Sequence, residues 1–139
     1  MLEKYYKYRI KYKDYIIIVK FGNFFECLEN DAFIMRELFN YKLNNLSNTF
    51  KIGFPLSNID NVLNKIAEKN INYVVIIDDE VSQTKEFENN CYDNYKYNEH
   101  IIHYNLIKVK EITNYLQNNL LSESLINKLE KIEDIIYEG

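Results

Sequence analysis

The stretch Gly-Asn-Phe-Phe-Glu, at the end of the apolar run Ile-Ile-Ile-Val-Lys-Phe, carries the most distinctive chemistry of the sequence. Gly22 and Asn23 both tolerate positive φ and therefore predict a hairpin turn. In a strand that follows this turn, alternation places Phe24 and Glu26 on one face and Phe25 on the other. A ring beside a carboxylate can enter another molecule and accept hydrogen bonds there. The alternative interpretation is that both rings are core residues.

The remaining chemically active side chains form no pattern typical of an enzyme. His100 and His103 fall in a predicted strand, where their spacing puts them on opposite faces and unsuited to one metal ion. The acidic residues 78–80 follow a predicted buried strand but are typical of a solvated loop. Neither Cys27 nor Cys91 has a candidate base nearby. The sequence predicts no catalytic residue, no metal site and no cofactor.

Charge is distributed unevenly along the chain. The net charge is -4, which argues against a general nucleic-acid-binding protein. Residues 1–20 nevertheless carry six basic and two acidic side chains, whereas residues 61–139 carry eight basic and fourteen acidic ones. The N-terminal arm is therefore either a local phosphate-binding surface or a solvated arm whose lysines face water.

The composition predicts a globular protein of the cytoplasm. A chain of 139 residues fits one domain, or one domain with an appendage. Its two cysteines are far apart, as expected of reduced thiols. The N-terminus is charged and has no apolar signal-peptide segment, and no apolar run approaches the roughly 20 residues that span a membrane. We expect no contact with a membrane.

Hydrophobic periodicity predicts alternating strands and helices. Strands are predicted at residues 15–21, 24–28, 50–54, 71–77 and 100–107, and helices at residues 32–41, 57–70, 108–119 and 122–137. Asn30 or Asp31 is the expected cap of the first helix, and Ser57 that of the second. Residues 5–13 fit either a strand or a helical arm. Residues 78–99 have no clear period and predict a long loop or a partly disordered segment.

These elements predict an α/β fold of the α+β-like kind, with a mixed β-sheet flanked by helices. We expect the sheet domain to occupy residues 1–107. Residues 108–139 are expected to form a C-terminal helical extension that packs on the domain or on a partner.

Two blocks of the sequence resemble the MutS mismatch-recognition domain, MutS domain I, in order and in spacing. Asp14, the apolar run and Lys-Phe-Gly-Asn-Phe-Phe-Glu take the place of the family's Pro-Asp, strand and Arg-Met-Gly-Asp-Phe-Tyr-Glu. Asn-Asp-Ala at residues 30–32 takes the place of the helix start, Asp-Asp-Ala. Gly-Phe-Pro at residues 53–55, with the helix and strand after it, resembles the family's Gly-Ile-Pro-Tyr-His, its next helix and its Val-Ala-Ile-Cys-Glu-Gln strand. The resemblance covers about residues 5–80 and, more weakly, residues 96–107.

The resemblance implies a function in binding mismatched or distorted duplex DNA. In the family, the Phe of Phe-x-Glu wedges beside a mispaired or unpaired base from the minor groove, and the Glu hydrogen-bonds that base. Carried over, Phe24 is the wedge and Glu26 its partner, while Phe25 is a core residue. Lysines contact phosphates, which position the duplex without specifying its sequence. The implied DNA-binding residues are Phe24, Glu26, Lys20, Asn23, Lys11, Lys13 and Lys51.

The departures from the family pattern support a second hypothesis. Asn23 replaces an Asp, Leu56 and Ser57 replace Tyr-His, and the basic loop before Gly-x-Pro is short. We find no counterpart of the MutS clamp, connector or ATPase regions and expect no enzymatic activity. The alternative is a protein-interaction module that keeps the domain I fold but has lost DNA binding. Its partner, or a second copy of the chain, would pack on the apolar stripe of residues 122–137.

Overall fold

The structure, a computed structural model, describes residues 2–46 and 48–138. Its elements are α1 (Leu2–Lys11), β1 (Ile16–Phe21), β2 (Phe24–Leu28), α2 (Asn30–Phe39), β3 (Asn44–Leu46), β4 (Thr49–Pro55), α3 (Ile59–Glu68), β5 (Tyr73–Ile77), β6 (Glu80–Lys85), α4 (Tyr92–Tyr95), α5 (Glu99–Asn118) and α6 (Leu125–Glu138). The chain divides into two compact units, Met1–Glu99 and His100–Gly139. The predicted domain boundary after residue 107 stays a prediction.

The strands of the first unit form one mixed sheet in the order β3-β4-β2-β1-β5-β6. β1 and β5 pair in parallel, and the other neighbours pair antiparallel. The parallel pair requires a crossover connection, and the connection from β1 to β5 includes α2 and α3. The predicted α/β fold, a mixed sheet flanked by helices, is confirmed.

The centre of the sheet is buried on both faces, which explains the unbroken β-branched sequence of β1. On one side, the helix face, apolar residues of α2 and α3 cluster with Ile16, Ile18 and Phe25. On the other side, the arm face, Tyr5 of α1 clusters with Ile17 and its neighbours on β5. The segment that fitted either a strand or a helical arm is therefore a helix that covers the arm face.

A fully buried carboxylate joins these elements. Asp31, in the first turn of α2, accepts a hydrogen bond from the backbone N–H of Ile17 at 3.0 Å and from the Tyr92 hydroxyl at 2.8 Å. It also forms an ion pair with Arg9 and accepts a hydrogen bond from the Tyr5 hydroxyl. Since all four partners donate, they fit the ionised form of the carboxyl group.

Two expected helix caps are wrong. α2 starts at Asn30, after Glu29, whose own side chain makes no capping hydrogen bond; the backbone N–H of Asn30 donates to Glu99 Oε1 at 3.3 Å, and Asp31 turns inward to Arg9. Ser57 lies within a short 3-10 turn, Leu56–Asn58, that leads into α3. The helix starts are thus served by a side chain from a distant part of the sequence at α2 and by the tighter turn at α3, and not by a local capping residue.

The predicted loop over residues 78–99 is also wrong, because it contains β6 and α4. Every residue of β6 is exposed, so its side chains show no burial period. The strand forms through backbone pairing to β5 at the edge of the sheet. Its polar side chains leave little hydrophobic signal in the sequence.

Residues 100–107 form part of α5 and not a strand. His100 and His103 consequently lie near the same side of a helix instead of on opposite faces. Among residues 2–46 and 48–138, no cluster of three or more His, Cys, Asp or Glu side chains could hold a metal ion. Within the same residues, no helix combines the length and apolar character needed to cross a membrane.

The second unit contains most of α5 and the whole of α6. The predicted helices at residues 108–119 and 122–137 coincide with parts of these two elements. Lys128 of α6 hydrogen-bonds the Tyr115 hydroxyl of α5, and its ammonium lies 4.8 Å from the centre of that ring. Leu125, at the start of α6, is buried.

We expect Asp31→Asn to lower the free energy of unfolding by about 3–5 kcal/mol, because it leaves the Arg9 charge partly buried without its counter-ion. Chemical denaturation measures this change. Asp79→Asn is the matched control, since Asp79 pairs with Lys4 at the surface and Asn tolerates its positive φ. The control should cost less than about 1 kcal/mol. Equal costs for both variants would contradict the central role of Asp31.

We also expect stability to fall above about pH 10. Burial, and then the nearby Asp31 carboxylate, raises the pKa of Tyr5 and of Tyr92 well above the usual value. Because the pKa is higher in the folded state, these tyrosines contribute their full stabilisation below the unfolded-state pKa of about 10. That contribution to the free energy of unfolding is lost as the pH rises toward the folded-state pKa.

Urea unfolding between about pH 8 and about pH 11 tests this, since the range brackets the tyrosine pKa. Tyr92→Phe should reduce the slope of stability against pH by up to about 1.4 kcal/mol per pH unit. Tyr137→Phe, at an exposed position, is the matched control. Equal slopes in the wild type and Tyr92→Phe would show that Tyr92 ionises normally.

Candidate nucleic-acid interface

The hairpin that joins β1 to β2 places two phenylalanines side by side. Phe21 and Phe24 are register partners across the two-residue turn Gly22-Asn23. Gly22 has φ +61°, which L side chains rarely adopt, so glycine serves the first turn position. The side chains of directly opposite residues start only about 5 Å apart.

The predicted division of the two rings after the turn is confirmed. Phe24 is 50% exposed, whereas Phe25 is 4% exposed and packs against Phe54 with ring centres 5.7 Å apart. Alternation along β2 turns Phe25 to the helix face, and Phe24 and Glu26 to the arm face. The hairpin thus presents one ring to solvent and anchors itself with the other.

Glu26 is held by Lys51 across the sheet. The Lys51 ammonium donates to Glu26 Oε2 at 3.1 Å, and the two side chains are 29% and 12% exposed, respectively. Glu26 lies opposite Gly53 on β4, and a Cβ added there would be 3.8 Å from Glu26 Cγ. Lys51 therefore neutralises and orients Glu26.

The other predicted DNA-binding residues are not all brought to this place. Asn23 lies exposed in the hairpin turn, and Lys20 is the register partner of Phe25, so it emerges from β1 on the helix-face side. Lys11 and Lys13 precede β1, whereas Phe24 follows it. At about 3.3 Å per residue, β1 separates these two lysines from the hairpin tip by roughly 17 Å or more.

The basic N-terminal arm is not one continuous positive surface. Arg9 turns inward, where its guanidinium pairs with Asp31 and donates to the backbone carbonyls of Tyr12, Lys13 and Tyr15. Burial has the largest single influence and opposes a charge on Arg9, but the Asp31 carboxylate together with the Tyr5 and Tyr92 hydroxyls more than compensates, so the pKa of Arg9 is raised. Arg9 is thus part of the interior rather than of the predicted phosphate-binding arm.

Two features beside the hairpin were missed in the sequence. Phe21 is 58% exposed, although it ends a run that the sequence predicts to be a buried strand. Lys4, at the start of α1, lies at the hairpin end of the sheet, where its ammonium pairs with Asp79 at 3.0 Å. The position of Lys4 depends on α1 running antiparallel to β1, and no local pattern shows that direction.

Comparison with known proteins agrees with this architecture. The family profile MutS domain I matches residues 1–127. The DNA mismatch repair protein MutS of Thermosipho melanesiensis is 34% identical over 68 residues, which are 49% of this chain. The aligned segment is only 8% of the length of that relative. Since the family match extends over most of the sequence, the chain belongs to the MutS domain I family.

Proposed function

We propose that this protein binds mismatched or distorted duplex DNA in the cytoplasm, without ATPase activity. Phe24 acts as a wedge and Glu26 contacts the displaced base. The observation that carries the proposal is the half-exposed Phe24 ring at the tip of a hairpin whose next residue, Phe25, is buried. Membership of the MutS domain I family, and the name of the relative, support DNA as the partner.

The wedge favours mismatched DNA because insertion of a ring requires a base step to unstack. Unstacking costs a few kcal/mol in a paired duplex, and a mispaired or unpaired step opens at lower cost. The buried Phe25 and the tight turn at Gly22 hold the Phe24 backbone before DNA arrives. Little ordering of the hairpin is then needed on binding.

Lys51 reduces the electrostatic repulsion between Glu26 and the DNA phosphates. A lone carboxylate is repelled by the DNA backbone, but the Lys51 ammonium at 3.1 Å offsets its charge. A carboxylate offers about four acceptor positions, so the bond to Lys51 still permits a bond from a base. We assign Lys51 a positioning role toward Glu26 in addition to its predicted DNA contact.

The predicted backbone contacts divide by position. Asn23 and Lys20 flank the wedge and would contact phosphates next to the distorted step. Lys11 and Lys13, beyond the far end of β1, would reach a separate part of the duplex. So few phosphate contacts give weak binding that is strongest at low salt.

A second candidate function is association through the C-terminal helix. Ile135, Ile136 and Tyr137 of α6 are 71%, 63% and 83% exposed. Neighbouring exposed apolar side chains often mark contact surfaces. We propose that residues 122–137 bind a protein partner or a second copy of the chain.

The DNA-binding proposal predicts a defined loss in Phe24→Ala. Fluorescence anisotropy at low salt would compare a fully paired duplex, a G·T mismatch and a duplex with one unpaired adenine. The wild type should prefer the two distorted duplexes. Phe24→Ala should weaken binding to them by about 5-fold to 100-fold, the effect of losing one base–aromatic stack, and leave the paired duplex unchanged.

Tyr6→Ala is the matched control, because Tyr6 is 51% exposed but lies on α1. It should retain wild-type binding. Equal wild-type affinity for paired and distorted duplexes would contradict the proposal, and so would an unchanged preference in Phe24→Ala. Absence of binding to every duplex would favour the protein-interaction module.

The association proposal predicts that charge at the α6 surface disperses an assembly. Sedimentation of the full chain should show a dimer or a higher assembly that becomes a monomer in the double variant Ile135→Asp, Ile136→Asp. The control is Glu133→Gln at an exposed polar position of the same helix. A monomeric wild type would contradict self-association through this surface.

A further inference from the structure

The exposed ring of Phe24 is the middle member of an apolar row across three strands. Phe21 of β1 and Pro55 of β4 are its register partners on either side. Alternation puts all three side chains on the arm face, at the end of the sheet. Phe21 is 58% exposed, more than Phe24 itself. The proposed wedge accounts for Phe24 and leaves the exposure of Phe21 unexplained.

A cavity of about 240 Å³ opens beside Phe21. Apolar residues Val19 and Ile76, adjacent on paired strands, line it together with Phe21. Its remaining wall is polar and consists of Lys4, Lys20, Asp78 and Asp79. The cavity thus combines an apolar, partly aromatic side with a rim of hydrogen-bond donors and acceptors.

Contacts to α1 hold the polar rim in place. The Lys4 ammonium lies 3.0 Å from a carboxylate oxygen of Asp79, and the Tyr8 hydroxyl donates to the Asp79 backbone carbonyl at 2.8 Å. Asp78 and Asp79 both have positive φ, 52° and 61°, in the turn from β5 to β6. The rim is therefore built by tertiary contacts between α1 and this turn.

This combination of surfaces matches a nucleobase, which is flat and apolar on its faces and polar at its edges. The volume lies below the roughly 300–1,000 Å³ typical of sites for larger ligands, so one base fits better than a whole nucleotide cofactor. The Lys20 side chain emerges on the opposite face of the sheet, so Lys4 is the lysine whose charge faces Asp78 and Asp79, and the lining is not positively charged. A neutral base therefore suits the cavity better than a phosphate group.

We propose that this cavity receives the unpaired base of a distorted duplex and that Phe21 stacks on it. The inference rests on the proposed DNA binding and adds the preferred substrate, a duplex with a surplus nucleotide. Phe24 opens the step, and the base that has no partner leaves the stack at the smallest cost. The register pairing of the two phenylalanines puts the receiving ring directly beside the wedge.

The test compares Phe21→Ala, Phe21→Tyr and Phe24→Ala by anisotropy on the three duplexes named above. Phe21→Ala should weaken binding to the duplex with an unpaired adenine by about 5-fold to 100-fold, the range for one base–aromatic stack. The G·T duplex keeps both bases paired, so its affinity should change little. Phe21→Tyr keeps the ring and should retain wild-type binding. Because Phe21 is exposed, we expect all the variants to fold, which circular dichroism checks.

The outcomes separate this inference from the proposed function. If Phe24→Ala loses the preference for distorted duplexes and Phe21→Ala binds unpaired adenine like the wild type, the cavity assignment is wrong and the wedge stands. Equal losses on the G·T and unpaired-adenine duplexes in Phe21→Ala would also overturn the assignment, since the ring would then serve any distortion. A wild type without preference for either distorted duplex would refute both.

Discussion

The contact between the buried carboxylate of Asp31 and the guanidinium of Arg9 is the constraint on which the first unit depends. A buried charge is tolerated only when it is paired and hydrogen-bonded, and Asp31 draws its partners from α1, β1 and α4. Arg9 in turn binds the carbonyls of the segment between α1 and β1. These bonds fix the direction in which α1 crosses the arm face.

The open surface at the hairpin follows from that arrangement. α1 covers the middle of the arm face through Tyr5, and its first turn reaches only as far as Asp79. The last residue of β1 and the first of β2 extend beyond this cover, so Phe21 and Phe24 stay exposed. A change at Asp31 would therefore alter the candidate site from the interior, without touching either ring.

Much of this fold could be predicted where local pattern and tertiary structure agree. Local sequence alone determines three features: the β-branched strand β1, the Gly22-Asn23 turn, and the alternation of Phe24, Phe25 and Glu26. β6 could not be found, because an exposed edge strand depends on backbone pairing and leaves its side chains free to be polar. The run at residues 100–107 was misassigned because short apolar stretches fit a helix as well as a strand.

The site was predictable in its residue types and not in their pairings. Glu26 and Lys51 are 25 positions apart and meet only through the register of β2 with β4. Asp31 stands where an acidic residue normally serves a helix start, so its role in the core has no local signal. Long-range register and chain direction decide such contacts, and neither can be derived from the spacing of single residues.

The internal pairs also determine what kind of DNA recognition this domain can support. Three cations that would serve a phosphate-binding surface are engaged within the fold: Arg9 with Asp31, Lys4 with Asp79 and Lys51 with Glu26. With a net charge of -4 besides, little sequence-independent attraction to DNA remains. In the proposed complex, the distinction between distorted and paired duplexes must then come from the cost of deforming the DNA. Insertion of an exposed ring depends on that cost, whereas a lysine–phosphate contact does not. The proposed complex would have a modest absolute affinity, yet a large ratio of distorted to paired binding, because the phosphate contribution, which is the same for every sequence, would be small.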